Sequence, residues 1–413
     1  MIETSTNSRR DFLAKTGKVA LLASLGIFGA GCEAVNRGLL DRGLVPVVLE
    51  DLKAAGLPKT DMLVHSDNPF NGEFPPHLLD DNVTPTSRHF VRNNNGIPER
   101  AIKEDLSGWQ LTVDGEVHKE LALTMDDLLQ FPQVTMDVVL ECAGNGRSLF
   151  VPEVDGTPWR RGAVACSEWT GVRLRDVLQA AGVKPTAVYT GNYGDDIPAD
   201  GSEQFSRGIP IEKAMDEHTL IALKLNGDVL PAAHGFPARL IVPGWIGSSM
   251  QKWLNRIWVR DKVHDSEKMS GYAYRIPAYQ VEPGHKPPVE DMRIATSLRV
   301  KSLITRPEPH SDFSTENTIK VRGHAWAGEN RISKVQVSTD FGINWQKTEL
   351  TPPSNRYAWY HWETDITLAN RGYYEIWARA YSDIGNAQPF TQPWNPKGYL
   401  GNVIHRVPTS ITA

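Results

Sequence analysis

Cys142 stands in the run Glu141-Cys142-Ala143-Gly144-Asn145-Gly146-Arg147. The apolar stretch Val138-Val139-Leu140 leads into it, and two glycines and an arginine follow. That order predicts a strand that stops in a tight turn, with the thiol at the mouth of the turn. A thiolate so placed can ligate a soft metal or attack as a nucleophile. Arg147 would favour the thiolate and can hold an anion. A buried, inert cysteine fits the same pattern, because free cysteine packs as a small apolar residue.

A second set of residues suits an anion. Arg92 lies in the polar, turn-prone loop His89-Phe90-Val91-Arg92-Asn93-Asn94-Asn95-Gly96. His234-Gly235-Phe236-Pro237-Ala238-Arg239 leads into the apolar run Leu240-Ile241-Val242. Lys252 follows the turn Pro243-Gly244-Trp245-Ile246-Gly247-Ser248-Ser249. A turn rich in Gly and Ser exposes backbone N–H groups that suit phosphate or another anion. His, Arg and Lys beside it complete a cradle. Each alone also fits a loop cap, a cation at a helix end or a surface ion pair.

The elements that must position these residues are short. Trp109 to Val113 followed by Asp114-Gly115 reads as a strand and hairpin turn. Thr124-Met125-Asp126-Asp127-Leu128-Leu129 reads as a helix start, with an N-cap and early acids. Leu174 to Ala181, stopped by Gly182, is an amphipathic helix, and Arg239 to Val242 is a buried strand. This is the texture of an α+β domain with a mixed sheet, placed at 86–290. From about Ser297 the runs become β-rich and turn-spaced: Thr318 to Val321, Ile332 to Ser338, Trp359 to Glu363, Tyr374 to Tyr381. That predicts an immunoglobulin-like β-sandwich over 291–410, without a sandwich disulfide. Pro283-Gly284 and Pro287-Pro288 mark the boundary, and residues 33–85 read as a leader wrapping the first domain.

The chain has 413 residues, 40% hydrophobic and 23% charged, enough for about two or three ordinary cores. A formal net charge of −5 gives no reason to expect nucleic acid as a partner. The three cysteines, Cys32, Cys142 and Cys166, are too few for a disulfide framework, and no CxxCH motif for covalent c-type haem occurs. Ser8-Arg9-Arg10-Asp11-Phe12-Leu13-Ala14-Lys15 and the apolar run Val19 to Ala30 resemble a twin-arginine export signal over 1–32. A basic N-terminal helix packed on the domain is the alternative. The signal predicts periplasmic delivery by the twin-arginine machinery, of a protein already folded around a cofactor. Cys32 follows Gly29-Ala30-Gly31, a weak lipobox, and is a candidate for a lipid anchor.

These pieces together resemble the sulfite oxidase family of molybdopterin enzymes. The resemblance spans roughly 85 to 407. It is carried by Phe90-x-Arg92-Asn93, Glu141 to Asn145 with Arg147, and Ser167-Glu168-Trp169-Thr170-Gly171-Val172. His234-Gly235-Phe236-Pro237-x-Arg239, Val242 to Trp245 and Lys252-Trp253-Leu254 continue it. The second domain adds Gly323 to Gly328, Val335-x-Val337-Ser338, Trp394-Asn395-Pro396-Lys397-Gly398, and Asn402 to Val407.

The resemblance implies a sulfite-oxidase-type molybdopterin-binding domain followed by a dimerisation domain, hence a homodimer. It implies that Cys142 Sγ is the protein ligand to molybdenum. Phe90, Arg92, Asn93 and Asn94 would line the cofactor, and His234, Arg239, Gln251 and Lys252 would hold it, His234, Arg239 and Lys252 at its phosphate. Arg92, Arg147 and Lys397 would hold a small oxyanion such as sulfite, and Tyr272 would be the active-site tyrosine, with Tyr274 as its substitute. The implied reaction is oxidation of sulfite to sulfate, with electrons passed to a separate protein such as a c-type cytochrome. A reductase of sulfoxides or other small oxidised molecules, and a non-catalytic exported binding protein, are the alternatives. Two positions depart from the family's best-known members: Asn94 stands in place of a histidine and Lys397 in place of an arginine. Lysine keeps the charge and loses the bidentate fork.

Overall fold

The computed structural model describes residues 52–196, 198, 204–315 and 318–412. The export-signal residues and Cys32 lie outside the described residues. Among those described, no helix is long and apolar enough to cross a membrane.

The first domain is built on two five-stranded sheets with short helices between them. One sheet runs Asp228–Val229, Leu220–Leu225, Val164–Arg173, Gln133–Glu141, with Arg239–Ile241 also paired to Leu220–Leu225. The other runs Leu121–Leu123, Leu111–Gly115, Leu254–Arg260, Tyr189–Gly194, Ser206–Pro210. In it Leu254–Arg260 pairs parallel to Leu111–Gly115 and antiparallel to Tyr189–Gly194, so the sheet is mixed. A core of Leu111, Val138, Trp169, Leu178, Leu240 and Ile257 fills the space between the layers.

Local signals in the sequence place the helices. Thr124 caps Met125–Leu129: its Oγ1 accepts from Asp127 N, and Asp127 Oδ2 accepts from Thr124 N at 2.9 Å. The helix Leu174–Ala181 buries Leu174, Val177, Leu178 and Ala181, then stops at Gly182, whose φ of 68° suits a residue without a Cβ. The strand Leu111–Gly115 does turn back on itself, but through residues 116–120 and not at Asp114-Gly115.

The second domain is a two-sheet sandwich. One sheet runs Lys301–Arg306, Thr318–Trp326, Tyr360–Thr367, Glu349–Thr351. The other runs Ser311–Phe313, His405–Ile411, Gly372–Ser382, Ile332–Ser338, Gln346–Lys347. Val335 and Val337 face inward, as their alternation with Gln336 predicts.

Both expected boundaries are crossed by pairing. Phe70–Glu73, all four residues buried, bonds to Leu63–Asp67 on one side and to Val91–Arg92 on the other. The stretch read as a wrapping leader is thus part of a three-stranded sheet that holds Arg92. Arg275–Pro277 pairs with Met292–Ile294 across the proline-rich stretch. A third core joins the two domains, with Val139, Ala143 and Cys166 against Leu298, Trp326 and Trp359.

Candidate active site

The strand Gln133–Glu141 delivers Cys142 to the wall of a cavity, and the turn beyond it is clamped at several atoms. Cys142 N donates to Ala163 O and Asn145 N to Cys142 O, both at 2.9 Å. The half-buried Cys142 lines the cavity, whereas the buried Cys166 thiol is pushed up to about 12 by burial and has the inert character. The cavity encloses roughly 650 Å³ of open space including its mouth.

Four other segments converge on it. The loop after Phe70–Glu73 brings His89, Phe90, Arg92 and Asn94. The segment Ala233–Arg239 brings His234 and Arg239. The turn Gly247–Ser249 and its continuation bring Ser248, Gln251 and Lys252. Tyr274 closes the far side, stacked on Tyr399 with ring centroids 5.4 Å apart.

One end of the cavity is crowded with cationic groups. Arg239 Nη1 donates to His234 O at 3.0 Å, and burial pushes its guanidinium down to about 9. Lys252 Nζ donates to Ala233 O at 3.0 Å and also bonds Asn93 Oδ1. Burial holds Lys252 well below the usual lysine range; Arg239 and Arg92 add to this and Asp196 opposes it. Burial also holds His234 and His89 well below the usual histidine value, with Lys59, Arg239 and Lys252 adding repulsion to both. Lys59 itself is pushed down to about 7 by burial. Asp196 is the acidic side chain that lines the cavity among the described residues, set against Arg92, Arg239 and Lys252.

The cavity also holds buried polar atoms without partners: His89 Nε2, Asp196 Oδ1, Arg239 Nε, Ser248 Oγ and Gln251 Oε1. A folded chain rarely leaves such atoms unsatisfied. Both donors and acceptors are among them, so the missing partner is polar on more than one side.

Arg92 and Asn94 form the opposite wall. Arg92 Nη2 donates to Asn94 Oδ1 at 2.6 Å, and Asn94 Nδ2 lies 3.4 Å from Tyr274 Oη. The asparagine that replaces the expected histidine therefore ties the arginine to the tyrosine.

Three expected site residues lie elsewhere. Tyr272 donates its hydroxyl to Pro287 O at 2.8 Å, away from the cavity, and Tyr274 takes the place in the wall. Tyr274 has a φ of 54° and its ring lines the cavity. Arg147 is buried beneath the Cys142 turn and does not line the cavity. Its Nε donates to Lys397 O at 3.0 Å and its Nη1 to Thr157 O at 2.8 Å. A Cβ on Gly144 would meet Arg147 Nη2 at 2.4 Å, so the glycine makes room for the guanidinium. Lys397 reaches Arg147 through its carbonyl, and its side chain is not part of the cavity wall.

Sequence reasoning missed Lys59, His89, Asp196 and Ser248. His89 and Ser248 sit inside segments already singled out. Lys59 and Asp196 carry no pattern that would have found them.

Comparison with known proteins adds the following. Residues 96–268 match the family described as "Oxidoreductase molybdopterin binding domain". Residues 292–412 match the "Mo-co oxidoreductase dimerisation domain". The chain is 35% identical to mitochondrial sulfite oxidase of Rattus norvegicus over 367 residues, 83% of this chain and 64% of the rat protein. It is 32% identical to an NADH nitrate reductase of Brassica napus, with 83% of this chain and 40% of that protein covered. It thus spans less than two thirds of either relative. Its fold resembles the crystal structure of the sulfane dehydrogenase SoxCD from Paracoccus pantotrophus, with a TM-score of 0.71 and 28% identity. That likeness covers 86% of this chain and 90% of the other.

Proposed function

This chain belongs to the sulfite oxidase family of molybdopterin oxidoreductases, and from that premise we propose that it oxidises sulfite to sulfate and hands the electrons to a separate acceptor. The observation that carries the reading is the cavity, where a thiol faces a cationic cradle rich in unpaired buried polar atoms.

The residues fit a molybdopterin. The basic end, where the cations Arg239 and Lys252 sit beside the His234 ring, suits a phosphate. The partnerless atoms of Asp196, Ser248 and Gln251 suit the edge of a heterocycle that both donates and accepts. Cys142 Sγ supplies a soft ligand. When bound, the molybdenum cofactor supplies a two-electron acceptor at which oxygen transfer takes place.

The protein's own part is binding and electrostatics. Sulfite and water give sulfate, two protons and two electrons. Arg92, held in place by Asn94, binds the anion from the cavity wall. The Tyr274 hydroxyl offers a donor to the same anion across the Asn94 bridge. Arg147 acts from behind the Cys142 turn through its field and makes no direct contact, fixed by two carbonyls and lying over Gly144. Two arginines at one site favour an oxyanion over a neutral substrate.

The Arg9-Arg10 run supports export to the periplasm by the twin-arginine route, and Cys32 supports a lipid anchor there. The match of 292–412 to a dimerisation domain supports a homodimer. A c-type cytochrome is the acceptor most in keeping with that location. The test is a substrate panel on molybdenum-loaded protein, with ferricyanide or cytochrome c for oxidation and reduced viologen for reduction. Sulfite-dependent reduction of the acceptor is expected. Reduction of nitrate or a sulfoxide, with no turnover of sulfite, would overturn the proposal; related nitrate reductases make this the informative contrast.

A further inference from the structure

Lys59 is a half-buried lysine in the segment ahead of the strand Leu63–Asp67. Buried Leu52 and Leu57 anchor that segment to the domain. Its Nζ has three partners: Thr86 O at 2.6 Å, His89 O at 2.8 Å and His234 Nε2 at 2.8 Å. Two of these are carbonyls, which only accept. The third is a ring nitrogen, and its role follows from the charge on Lys59. An ammonium has three N–H donors and no lone pair. Its third donor then requires His234 Nε2 to accept, which puts the ring proton on Nδ1. A neutral amine has only two N–H donors, both used by the carbonyls. Its lone pair would accept a hydrogen bond from Nε2–H, and in that tautomer Nδ1 carries no proton.

His234 lines the cavity, and its Nδ1 has no hydrogen-bond partner among the described residues. A protonated Nδ1 would donate to an anion in the cradle; a bare Nδ1 would present a lone pair and repel it. Double protonation of the ring is opposed by burial and by the surrounding Lys59, His89, Arg239 and Lys252. An anion in the cradle in turn favours the charged form of Lys59. The ligand and the lysine thus select the same tautomer.

We propose that Lys59 is a positioning residue whose ammonium fixes His234 as the Nδ1–H tautomer, so that the ring offers a donor to the phosphate end of the cofactor. This rests on the reading of the cavity as a molybdopterin site. The residue acts through His234 and touches no reacting atom.

The test uses the oxidised holoenzyme labelled with ¹⁵N-histidine, with tautomers read from long-range ¹H–¹⁵N couplings. The His234 signals are assigned by their loss in His234→Gln. Wild type is expected to show the Nδ1–H pattern. Lys59→Met, which leaves the bound anion as the ring's remaining bias, should give a mixture of Nδ1–H and Nε2–H and release molybdenum about tenfold faster on dilution, the effect of one lost charge-assisted contact. Lys59→Arg, which keeps the donors, should retain the wild-type pattern. An Nε2–H pattern in wild type would overturn the inference without any variant being needed. An unchanged tautomer and release rate in Lys59→Met would overturn it while the sulfite oxidase reading stands. Wild-type protein that folds but takes up no molybdenum would overturn both.

Discussion

Two cysteines with opposite fates show what a residue owes to its surroundings. Cys166 is locked in the core between the domains, whereas Cys142 lies at a strand end where a turn opens onto a cavity. The turn around Cys142 was legible because apolar residues, two glycines and an arginine fix its shape locally. The tyrosine was not. Tyr272 and Tyr274 are two apart in an irregular stretch, and they are told apart only by partners distant in the chain, Asn94 and Tyr399 for Tyr274 and Pro287 for Tyr272. Tyr274→Phe should therefore lower kcat for sulfite by about tenfold to a hundredfold, as expected when one aligned hydroxyl is lost. Tyr272→Phe should stay within about twofold of wild type, because its hydroxyl only ties Pro287. Steady-state kinetics of the two variants side by side checks the assignment, and the reverse ranking would refute it. Lys59 was illegible for a different reason. An isolated lysine in a turn-rich stretch gains meaning only when the carbonyls of residues 27 and 30 positions away accept from it at the same point.

At the scale of elements, the strand that ends in Cys142 is pinned from the second domain. Glu141 Oε1 accepts from Asn145 Nδ2 at 2.9 Å and from Lys301 Nζ, and Oε2 accepts from Trp326 Nε1 at 2.8 Å. Lys301 and Trp326 belong to sandwich strands, so the turn carrying the thiol is braced by the neighbouring domain. Glu141→Ala would leave the buried Lys301 ammonium without its carboxylate, at a cost of about 3–5 kcal/mol. Urea unfolding of the purified variant reads this directly, and a loss below about 1 kcal/mol would show that the pair does not brace the turn. The elements themselves followed from local pattern: the Thr124 cap, the Gly182 stop, the alternation at Val335 and Val337. The wrapping segment did not. Phe70–Glu73 is buried on both faces, so it lacks the alternation that marks a strand, and its partners lie on either side of it in the chain.

The whole molecule keeps several histidines neutral inside it, and that sets its response to acid. His324 stacks on Trp359 with centroids 3.9 Å apart, and burial, with His361 beside it, pushes it down to about 3 from an ordinary 6.5. Between those values the unfolded chain binds a proton that the folded chain excludes. The stability from this group is complete above about pH 6.5 and is lost as pH falls towards 3, at up to about 1.4 kcal/mol per pH unit. Urea midpoints should therefore fall between pH 7 and pH 5. His324→Gln keeps a donor for the Leu79 carbonyl that His324 Nε2 now bonds, and should give a shallower decline by about one proton. Equal slopes would place the acid sensitivity elsewhere.

The shared core and the Glu141 brace make the thiol, the cradle and the sandwich parts of one structure, and the role proposed for that structure is to present Cys142 to molybdenum. The most direct measurement is sulfite-dependent reduction of ferricyanide, normalised to molybdenum content, in wild type and in Cys142→Ser. Wild type should turn over sulfite in proportion to its metal, and the serine variant should lose that activity while remaining folded. Activity retained in Cys142→Ser, or metal-loaded wild type inert towards sulfite, would contradict the account.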